Sequence, residues 1–356
     1  MRAVGAAVRA RPGEAQTVLG PVPASSLGVT LTHEHLLCDL TPFLRAPQTD
    51  DERGFAEAPI TIELIGRLRY FPYSNRSNLR LDERPLAIEE AARYKRAGGS
   101  AIVDATSCGI GRDPEGLAEV ARAAGLHVIM GSGYYVAAVH PADLAARGEE
   151  AIADGIAREI VDGTTPSGIR PGIIGEIGLS WPPHPNEYMV LRAAARAQRR
   201  TGAPLVVHPG RNEEAPLEAI RVLERAGGDP ARTIMCHLCR TIRTWDALAE
   251  LARTGCFLEY DLFGQETSYY QSNPAVDMVS DAERIRWVRL LADAGYRDRI
   301  LVSDDVANKY QLVRYGGHGY EHLLVNIVPR LRLRGFDDAD VRALLVENPA
   351  SALAFR

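Results

Sequence analysis

The chain has 356 residues, of which 46% are hydrophobic, and its formal net charge is −5. This length suits one (β/α)₈ barrel with insertions, or two ordinary domains. The acidic balance argues against a nucleic-acid or membrane-surface partner. No apolar run reaches the roughly 18 residues that would predict a transmembrane helix.

Residues 1–26 are predicted to form a loose N-terminal arm, and residues 27–356 a single domain. The first residues include several arginines but lack the apolar core of a secretory signal. The five cysteines are an odd, sparse set, which favours a reducing, cytoplasmic location over a disulfide framework. Cys236 and Cys239 have no second cysteine pair, so neither a zinc knuckle nor a redox site is predicted from them.

The first strong strand signal is the apolar run Leu27-Gly-Val-Thr-Leu31, which leads into Thr32-His-Glu-His-Leu36. On an extended strand, residues i and i+2 point to the same side, roughly 6–7 Å apart. His33 and His35 therefore face the same way, as two ligands of one metal would. Two solvated or core histidines are the alternative.

Five prolines interrupt the pattern between residues 39 and 85, which is predicted as a long loop after strand 1. Long irregular segments in a compact protein are usually functional. A surface insertion without a role is the alternative.

After Pro85, short apolar runs alternate with stretches of helical spacing. Further strands are predicted over 101–106, 126–130, 171–179, 204–208, 233–237, 256–260 and 299–303. Helices are predicted over 86–97, 114–124, 141–162, 186–201, 215–226, 245–254, 281–294, 320–333 and 338–346. Such runs are typical of parallel strands buried on both faces. Eight of them separated by helices predict an α/β fold, a (β/α)₈ TIM barrel.

A doubly wound open sheet is the alternative fold. Gly109-x-Gly111 and Gly131-x-Gly133 follow predicted strands, as a dinucleotide-binding turn would. Both lack the third glycine of that fingerprint. The barrel is therefore favoured.

Polar residues with metal-binding side chains stand at or near the carboxyl ends of five predicted strands. They are His33, His35, Glu176, His208, His237 and Asp305. In a (β/α)₈ barrel the active site lies at this end of the strands.

Six nitrogen and oxygen ligands are too many for one tetrahedral zinc ion. They suit two divalent metal ions, with His33, His35 and Asp305 on the first, and with Glu176 as the bridge. His208 and His237 are assigned to the second ion. Zinc is the favoured metal, and manganese, iron or cobalt would accept the same ligands.

Several longer motifs surround these residues. They are Leu31-Thr-His-Glu-His-Leu36, Gly175-Glu-Ile-Gly178, Val207-His208, His237, Ser303-Asp-Asp305, Tyr315-Gly-Gly-His-Gly-Tyr320 and Glu347-Asn-Pro349. Because of these motifs, the chain resembles the phosphotriesterase family of the amidohydrolase superfamily from about Gln16 to its end. A second set resembles the phosphotriesterase-related branch: Pro72-Tyr-Ser-Asn75, Trp181-Pro182, His208-Pro-Gly-Arg211, Arg240-Thr-Ile242 and Leu258-Glu-Tyr-Asp-Leu-Phe-Gly264.

The resemblance implies a binuclear metal centre on a TIM barrel. Many family members bridge the metals with a carboxylated lysine, whereas the related branch, like this chain, has a glutamate, Glu176. Members of that branch have been linked to hydrolysis of N-acetyltaurine, and other family members hydrolyse lactones or organophosphate triesters. The resemblance also implies a homodimer.

One position departs from the family pattern. The family commonly has an aspartate two residues after the sixth-strand histidine, where it relays protons, and this chain has Cys239. A thiol with a pKa near 8.5 is a poorer relay at pH 7. Either the relay is dispensable here or Asp305 passes its proton to another group, and a slower or differently tuned enzyme is one expected outcome.

The first functional hypothesis is an amidohydrolase that cleaves N-acetyltaurine or related N-acyl compounds with a hydroxide held between the metals. Asp305 would take the proton and return it to the leaving amine. Arg76 and Arg211 are candidates to bind the anionic tail. Tyr73, Tyr134 and Tyr260 are candidate aromatic walls.

Two other hypotheses use the same residues. One is a lactonase or carboxylic-ester hydrolase with weak phosphotriesterase activity, since the same ligands serve all these reactions. The loops near 70–80 and 261–275 are expected to decide between the substrates. The other hypothesis is a barrel that binds metal and ligand without turnover.

Overall fold

Eight short apolar runs pair side by side as parallel strands in the computed structural model, which describes residues 10–356. Four further strands lie outside this set. In chain order the strands are β1 (Glu14–Thr17), β2 (Gly20–Pro23), β3 (Thr30–Glu34), β4 (Cys38–Asp39), β5 (Arg80–Leu81), β6 (Ala101–Asp104), β7 (His127–Met130), β8 (Ile174–Gly178), β9 (Leu205–His208), β10 (Thr233–Met235), β11 (Phe257–Tyr260) and β12 (Ile300–Val302). The predicted α/β class and the TIM barrel are confirmed.

Helices follow the barrel strands at nearly every predicted position. They are α1 (Asp50–Glu57), α2 (Ile65–Tyr70), α3 (Arg84–Arg96), α4 (Pro114–Ala124), α5 (Leu144–Asp162), α6 (Pro185–Thr201), α7 (Ala215–Arg225), α8 (Leu238–Thr241), α9 (Trp245–Ala252), α10 (Asp281–Leu291), α11 (Val328–Leu333), α12 (Asp338–Arg342) and α13 (Asn348–Leu353). Wider π-type turns adjoin three of them, at Ala292–Tyr296, Leu323–Ile327 and Ala343–Glu347. Within residues 10–356, no helix is both long and apolar enough to cross a membrane.

Hydrogen bonds at two seams join the strands into a closed barrel. Strands β8 to β12 form one parallel sheet and β3, β6 and β7 form another. At the first seam, Gly175 N donates to Ser132 O at 2.6 Å. At the second, His33 N donates to Ser303 Oγ at 3.0 Å and Asp305 N donates to His33 O at 3.3 Å. The second seam thus connects two of the predicted metal ligands directly.

Two apolar layers hold the barrel together. Alternate strand residues, including Val103, Val206, Ile234 and Leu301, are fully buried in one cluster that fills the barrel. Their neighbours along the strands join a larger cluster with the surrounding helices. This alternation is what a strand buried on both faces requires, and most of the polar strand residues lie towards the ends of the strands that meet at the candidate site.

The segment predicted as a loose arm contains ordered structure. Strands β1 and β2 form an antiparallel hairpin, and Val18 N donates to Val128 O of β7 at 2.8 Å. Ala15 is fully buried against the residues that fill the barrel. Residues 10–26 are therefore not loose, while residues 1–9 lie outside the described part of the chain. The division into an arm and one domain stays a prediction.

The segment from 39 to 85, predicted as a loop, carries two short helices, α1 and α2. Helix α1 begins with a capping box, in which Thr49 accepts from Glu52 N and the Glu52 side chain accepts from Thr49 N. The spacing Thr-x-x-Glu is a known start signal for a helix. The prolines of this segment obscured that signal in the sequence.

Candidate metal centre

His33 and His35 lie at the end of β3 and point to the same side, as the strand alternation predicts. Their ring centroids are 5.7 Å apart, and His33 is fully buried. The Nδ1 atom of His35 lies 2.9 Å from Thr106 Oγ1, just beyond β6. This contact fixes the ring of His35 and turns its Nε2 towards Glu176.

Glu176, near the end of β8, lies at the centre of the four histidines. Its Oε1 is 3.4 Å from His35 Nε2. Its Oε2 is 2.9 Å from His208 Nδ1, 3.5 Å from His237 Nε2 and 3.6 Å from His33 Nε2. Burial, followed by the charges of neighbouring carboxylates, raises the pKa of Glu176 well above its usual range.

Asp305 closes the cluster beside β3. Its Oδ1 lies 3.5 Å from His35 Nε2 and 3.9 Å from His33 Nε2. Burial raises its pKa to about 7. Asp305 and His237 are the non-glycine residues of the described chain with positive φ, at 46° and 59°. Such strained backbone is enriched at functional sites.

The spacing of these atoms fits metal ligands. Two ligands bound tetrahedrally at about 2.1 Å lie roughly 3.4 Å apart, close to the separations found around Glu176. Neither ring nitrogen of His33 has a hydrogen-bond partner in the described chain. Burial lowers the pKa of all four histidines, which favours the neutral form that binds metal.

Two buried cysteines, Cys236 and Cys239, lie near the cluster. Cys236 donates a hydrogen bond from its thiol to Val207 O at 2.8 Å, and burial raises its pKa well above the usual range. Cys239 is buried and does not line the cavity described below. Burial raises the pKa of Cys239 although the charge of Arg284 opposes it. Cys236 nevertheless forms a group with His33, Glu176 and His237 in which the candidate ligand atoms all lie within 4.8 Å of one another, whereas Cys239 belongs to no such group in the described chain.

Sequence reasoning assigned no role to a pair of acidic residues behind the histidines. Asp261 accepts hydrogen bonds from His237 N at 2.9 and 3.1 Å, and its Oδ1 lies 3.0 Å from His237 Nδ1. Glu259 Oε2 lies 3.6 Å from His33 Nδ1. Carboxylates in this position orient metal-binding imidazoles. Their i, i+2 spacing at the end of β11, like that of His33 and His35, was the available signal.

Glu34, between the two histidines, faces away from them and holds the turn that carries Asp305. Its carboxylate accepts from Ser303 Oγ at 2.7 Å, from Asp304 N at 2.8 Å and from Val306 N at 2.7 Å. Glu34 is fully buried. The His-Glu-His motif thus places two histidines on one face of the strand. On the other face, its glutamate holds the turn that carries Asp305 through hydrogen bonds.

The cluster opens into a cavity of about 80 Å³. Two of the five predicted substrate-binding residues, Tyr73 and Arg211, line it. The other three do not. Arg76 is half exposed and pairs with Glu57, with Nε and Oε1 3.2 Å apart.

The two remaining tyrosines are also placed away from the cavity. Tyr134 accepts a hydrogen bond from Arg147 Nη1 at 3.1 Å. Tyr260 is buried in the cluster between the strands and the helices, because its neighbours Glu259 and Asp261 take the other face of β11. The prediction that these residues form the walls has no support in their positions.

Two other residues of the cavity were not predicted. Arg240 is buried, and its Nη2 lies 3.0 Å from His208 Nε2. The hydroxyl of Tyr135 lies 3.3 Å from His208 Nδ1. A histidine followed three residues later by an arginine in a short helix was visible in the sequence, but helix α8 is too short to have a periodic signal.

The segment from 39 to 85 and the loop after β11 meet over the cavity. Gln271 accepts from Tyr73 N at 2.9 Å and donates to Ser74 Oγ at 2.9 Å. Arg45 Nη2 donates to the carbonyl oxygen of Gln271 at 2.7 Å. The two segments predicted to decide the substrate therefore form the cavity wall together.

Asp281, at the start of α10, anchors the loop after β11. It accepts from Gly264 N at 3.0 Å and from Arg284 Nη1 at 2.7 Å, and it lies 2.9 Å from His322 Nε2. Burial alone would raise its pKa, but these contacts lower it to about 2. The ionised form therefore stabilises the fold above about pH 4, and this stabilisation is lost as the pH falls through 2.

We expect Asp281→Asn to remove about 2 kcal/mol of unfolding free energy at pH 6, since each pKa unit corresponds to about 1.4 kcal/mol. The difference from the unmodified protein should shrink as the pH falls from 4 towards 2. Urea unfolding across this range measures it. A difference that stays constant with pH would contradict the assignment.

The sequence is similar to known proteins over nearly its whole length. The sequence model of the phosphotriesterase family matches residues 13–353. The chain belongs to the phosphotriesterase family. It is therefore a hydrolase of a metal-dependent family, and that family generally uses a binuclear metal centre.

Individual members of the phosphotriesterase family are similar over nearly their whole length. The human protein named N-acetyltaurine hydrolase is 44% identical, over 97% of this chain and 99% of that protein. A resiniferatoxin-binding protein of Rhodobacter sphaeroides is 42% identical, with a TM-score of 0.93, covering 97% of this chain and 96% of that one. A mutant lactonase of Deinococcus radiodurans is 28% identical, with a TM-score of 0.74 and coverages of 96% and 100%.

Proposed function

We propose that this protein hydrolyses the amide bond of N-acetyltaurine or of closely related N-acyl amino compounds. The observation that carries the proposal is the presence, in one small cavity, of the histidine–carboxylate cluster and of Arg211. An amide with an anionic tail needs both. The name of the human relative, which is 44% identical, supports the same substrate.

The residues that would hold two divalent ions are those predicted from the sequence. His33, His35 and Asp305 would bind one ion, His208 and His237 the other, and Glu176 would bridge them. Zinc is proposed, and manganese, iron or cobalt would accept the same nitrogen and oxygen ligands. When bound, such ions provide a water nucleophile near neutral pH and polarise a carbonyl group.

The protein's own side chains would handle the protons and orient the substrate. Asp305 would accept a proton from the attacking water and donate it to the leaving amine nitrogen. Asp261 and Thr106 keep His237 and His35 in place through the contacts described above. Tyr73 and Tyr135 exclude water from the reacting amide.

Arg211 would bind the anionic tail of the substrate. Its Nε donates to the Tyr270 hydroxyl at 2.7 Å, and no described residue accepts a hydrogen bond from its two terminal nitrogens. Arg240 adds a second positive charge to the same cavity. The small cavity favours a short acyl group such as acetyl over a long one.

Hydrolysis of lactones or carboxylic esters, with weak phosphotriesterase activity, is the second candidate. The same ligand cluster would polarise any carbonyl, and the Deinococcus lactonase shares the fold at 28% identity. A neutral lactone has no anionic group that could bind to the positively charged side chains of Arg211 and Arg240. That charge is the reason for placing the amide first.

A substrate panel tests the proposal. Protein reloaded with zinc or with manganese is assayed on N-acetyltaurine, N-acetyl amino acids and neutral lactones, with metal content measured on the same sample. We expect N-acetyltaurine to be cleaved with the highest kcat/KM. Cleavage of lactones with N-acetyltaurine left intact would reject the amide and support the second candidate.

Three further properties are proposed. One domain over residues 27–356 is proposed from the strand count, with residues 1–26 as an N-terminal arm whose described part, 10–26, packs on the barrel. A cytoplasmic location is proposed because all five cysteines are unpaired. A homodimer is proposed from the family resemblance alone.

A further inference from the structure

We propose that Tyr270 makes the tail end of the cavity selective for a sulfonate over a carboxylate. It would do so as a third hydrogen-bond donor beside the guanidinium of Arg211. This inference rests on the proposed function and names the residue that sets its substrate class.

The contact between the two side chains leaves the hydroxyl hydrogen of Tyr270 unused by Arg211. Arg211 Nε is the donor and the Tyr270 oxygen is the acceptor, at 2.7 Å. A phenol has one hydrogen to donate as well as lone pairs. No described residue accepts a hydrogen bond from this hydroxyl. Because Tyr270 lines the cavity, its hydrogen is left for a ligand.

Arg211 is held so that its two terminal nitrogens are left for the same ligand. Its carbonyl oxygen accepts from Asn273 Nδ2 at 3.2 Å, which ties it to the loop that carries Tyr270. Its guanidinium carbon lies 5.7 Å from the centre of the Tyr270 ring. The pair therefore presents three donors: two from the guanidinium and one from the phenol.

The local charge supports an anion beside the phenol. Burial would raise the pKa of Tyr270, but the charges of Arg211 and Arg240 outweigh that effect and lower it. The electrostatic potential at the hydroxyl of Tyr270 is thus positive, which favours an anionic ligand there.

Three donors distinguish the two kinds of anion by shape. A carboxylate has two oxygens in one plane, which the fork of an arginine satisfies in full. A sulfonate has three equivalent oxygens arranged around a tetrahedral sulfur, so one oxygen is left over when the arginine binds the other two, and that oxygen needs a further donor. With a carboxylate bound, the hydroxyl would lack an acceptor on the ligand, and a site built to donate a hydrogen bond to one ligand group discriminates against ligands without that group.

The test compares N-acetyltaurine with N-acetyl-β-alanine, which has the same chain length and a carboxylate in place of the sulfonate. Tyr270→Phe keeps the ring beside Arg211 and removes the hydroxyl. We expect kcat/KM for N-acetyltaurine to fall about tenfold to a hundredfold, the range for a hydrogen bond to a charged group. The value for N-acetyl-β-alanine should stay the same or rise, because Tyr270→Phe removes a hydroxyl that this carboxylate leaves without an acceptor.

Tyr134→Phe is the matched control, because Tyr134 lies outside the cavity and its loss should leave both substrates unaffected. Inhibition of the metal-loaded protein by taurine and by β-alanine gives a second readout. Tyr270→Phe should weaken taurine alone. Equal losses for both substrates, or no loss for either, would overturn the selectivity.

The outcomes distinguish a failure of the sulfonate selectivity from a failure of the proposed amide hydrolysis. If the unmodified protein cleaves N-acetyltaurine and Tyr270→Phe leaves the preference unchanged, the inference alone is wrong. If the unmodified, metal-loaded protein cleaves neither N-acyl compound, the proposed function is wrong and the inference with it.

Discussion

Replacing Glu176 with glutamine is expected to lower kcat/KM for N-acetyltaurine by about a thousandfold or more and to reduce the bound metal below two ions per chain. An amide side chain is neutral and offers one acceptor oxygen, so it cannot replace a bridging carboxylate. Metal analysis and amide hydrolysis on the same preparation measure both effects.

The stability of the metal-free protein provides the control for this variant. Glu176 is 2% exposed and lies among other carboxylates, and burying such a charge without a partner destabilises a fold. Metal-free Glu176→Gln should therefore unfold at the same or a higher urea concentration than the metal-free unmodified protein. Full activity with two bound ions would contradict the bridging role.

Replacing Arg211 with methionine is expected to lower kcat/KM for N-acetyltaurine at least about a hundredfold. Removal of one partner from a buried charged pair typically costs 2–5 kcal/mol or more, and a tenfold change corresponds to about 1.4 kcal/mol. Metal content should not change, because Arg211 is not among the predicted ligands. Hydrolysis of a neutral ester such as 4-nitrophenyl acetate should change little.

Arg76→Met is the matched control for this variant. Arg76 was an equally good anchor in the sequence, but it is half exposed and pairs with Glu57. Its replacement should leave N-acetyltaurine hydrolysis within about twofold, since exposed ion pairs contribute little. Equal losses in both variants would show that the effect is not local to the cavity.

The barrel and the ligand positions follow from patterns that depend on local sequence alone. Each barrel strand is a short apolar run, and its burial on both faces leaves the next polar residue at the mouth. His208, at the end of β9, and His237, just beyond β10, were identifiable for this reason. Their distances to Glu176 depend on the shear of the closed barrel, which no single strand specifies.

The substrate-binding residues were less predictable because they lie on loops. Tyr260 was predicted as a wall although strand alternation already places it opposite Glu259 and Asp261 on β11. The sequence could not decide whether Arg211 or Arg76 binds the anionic tail. The structure shows that Arg76 pairs with Glu57, whereas Arg211 lines the cavity. The role of Tyr270 depends on how the loop after β11 folds back, for which the sequence has no periodic signal.

Cys239 illustrates a departure whose consequence could be read only from the structure. The family pattern suggested a weaker proton relay at this position. The side chain is instead buried beside Arg284, outside the cavity that holds Asp305. Any relay from Asp305 would therefore run through other groups, and the expectation of a slower enzyme stays a prediction.

The most direct test is the rate of taurine release from N-acetyltaurine as zinc is added back to the metal-free protein. We expect the rate to rise and to level off at two equivalents of zinc per chain. One ion would be bound by His33, His35 and Asp305 and the other by His208 and His237, with Glu176 as the bridge. Glu176→Gln should show no such rise. Taurine release that is complete without metal, or that levels off at one equivalent, would contradict a two-metal amide hydrolase.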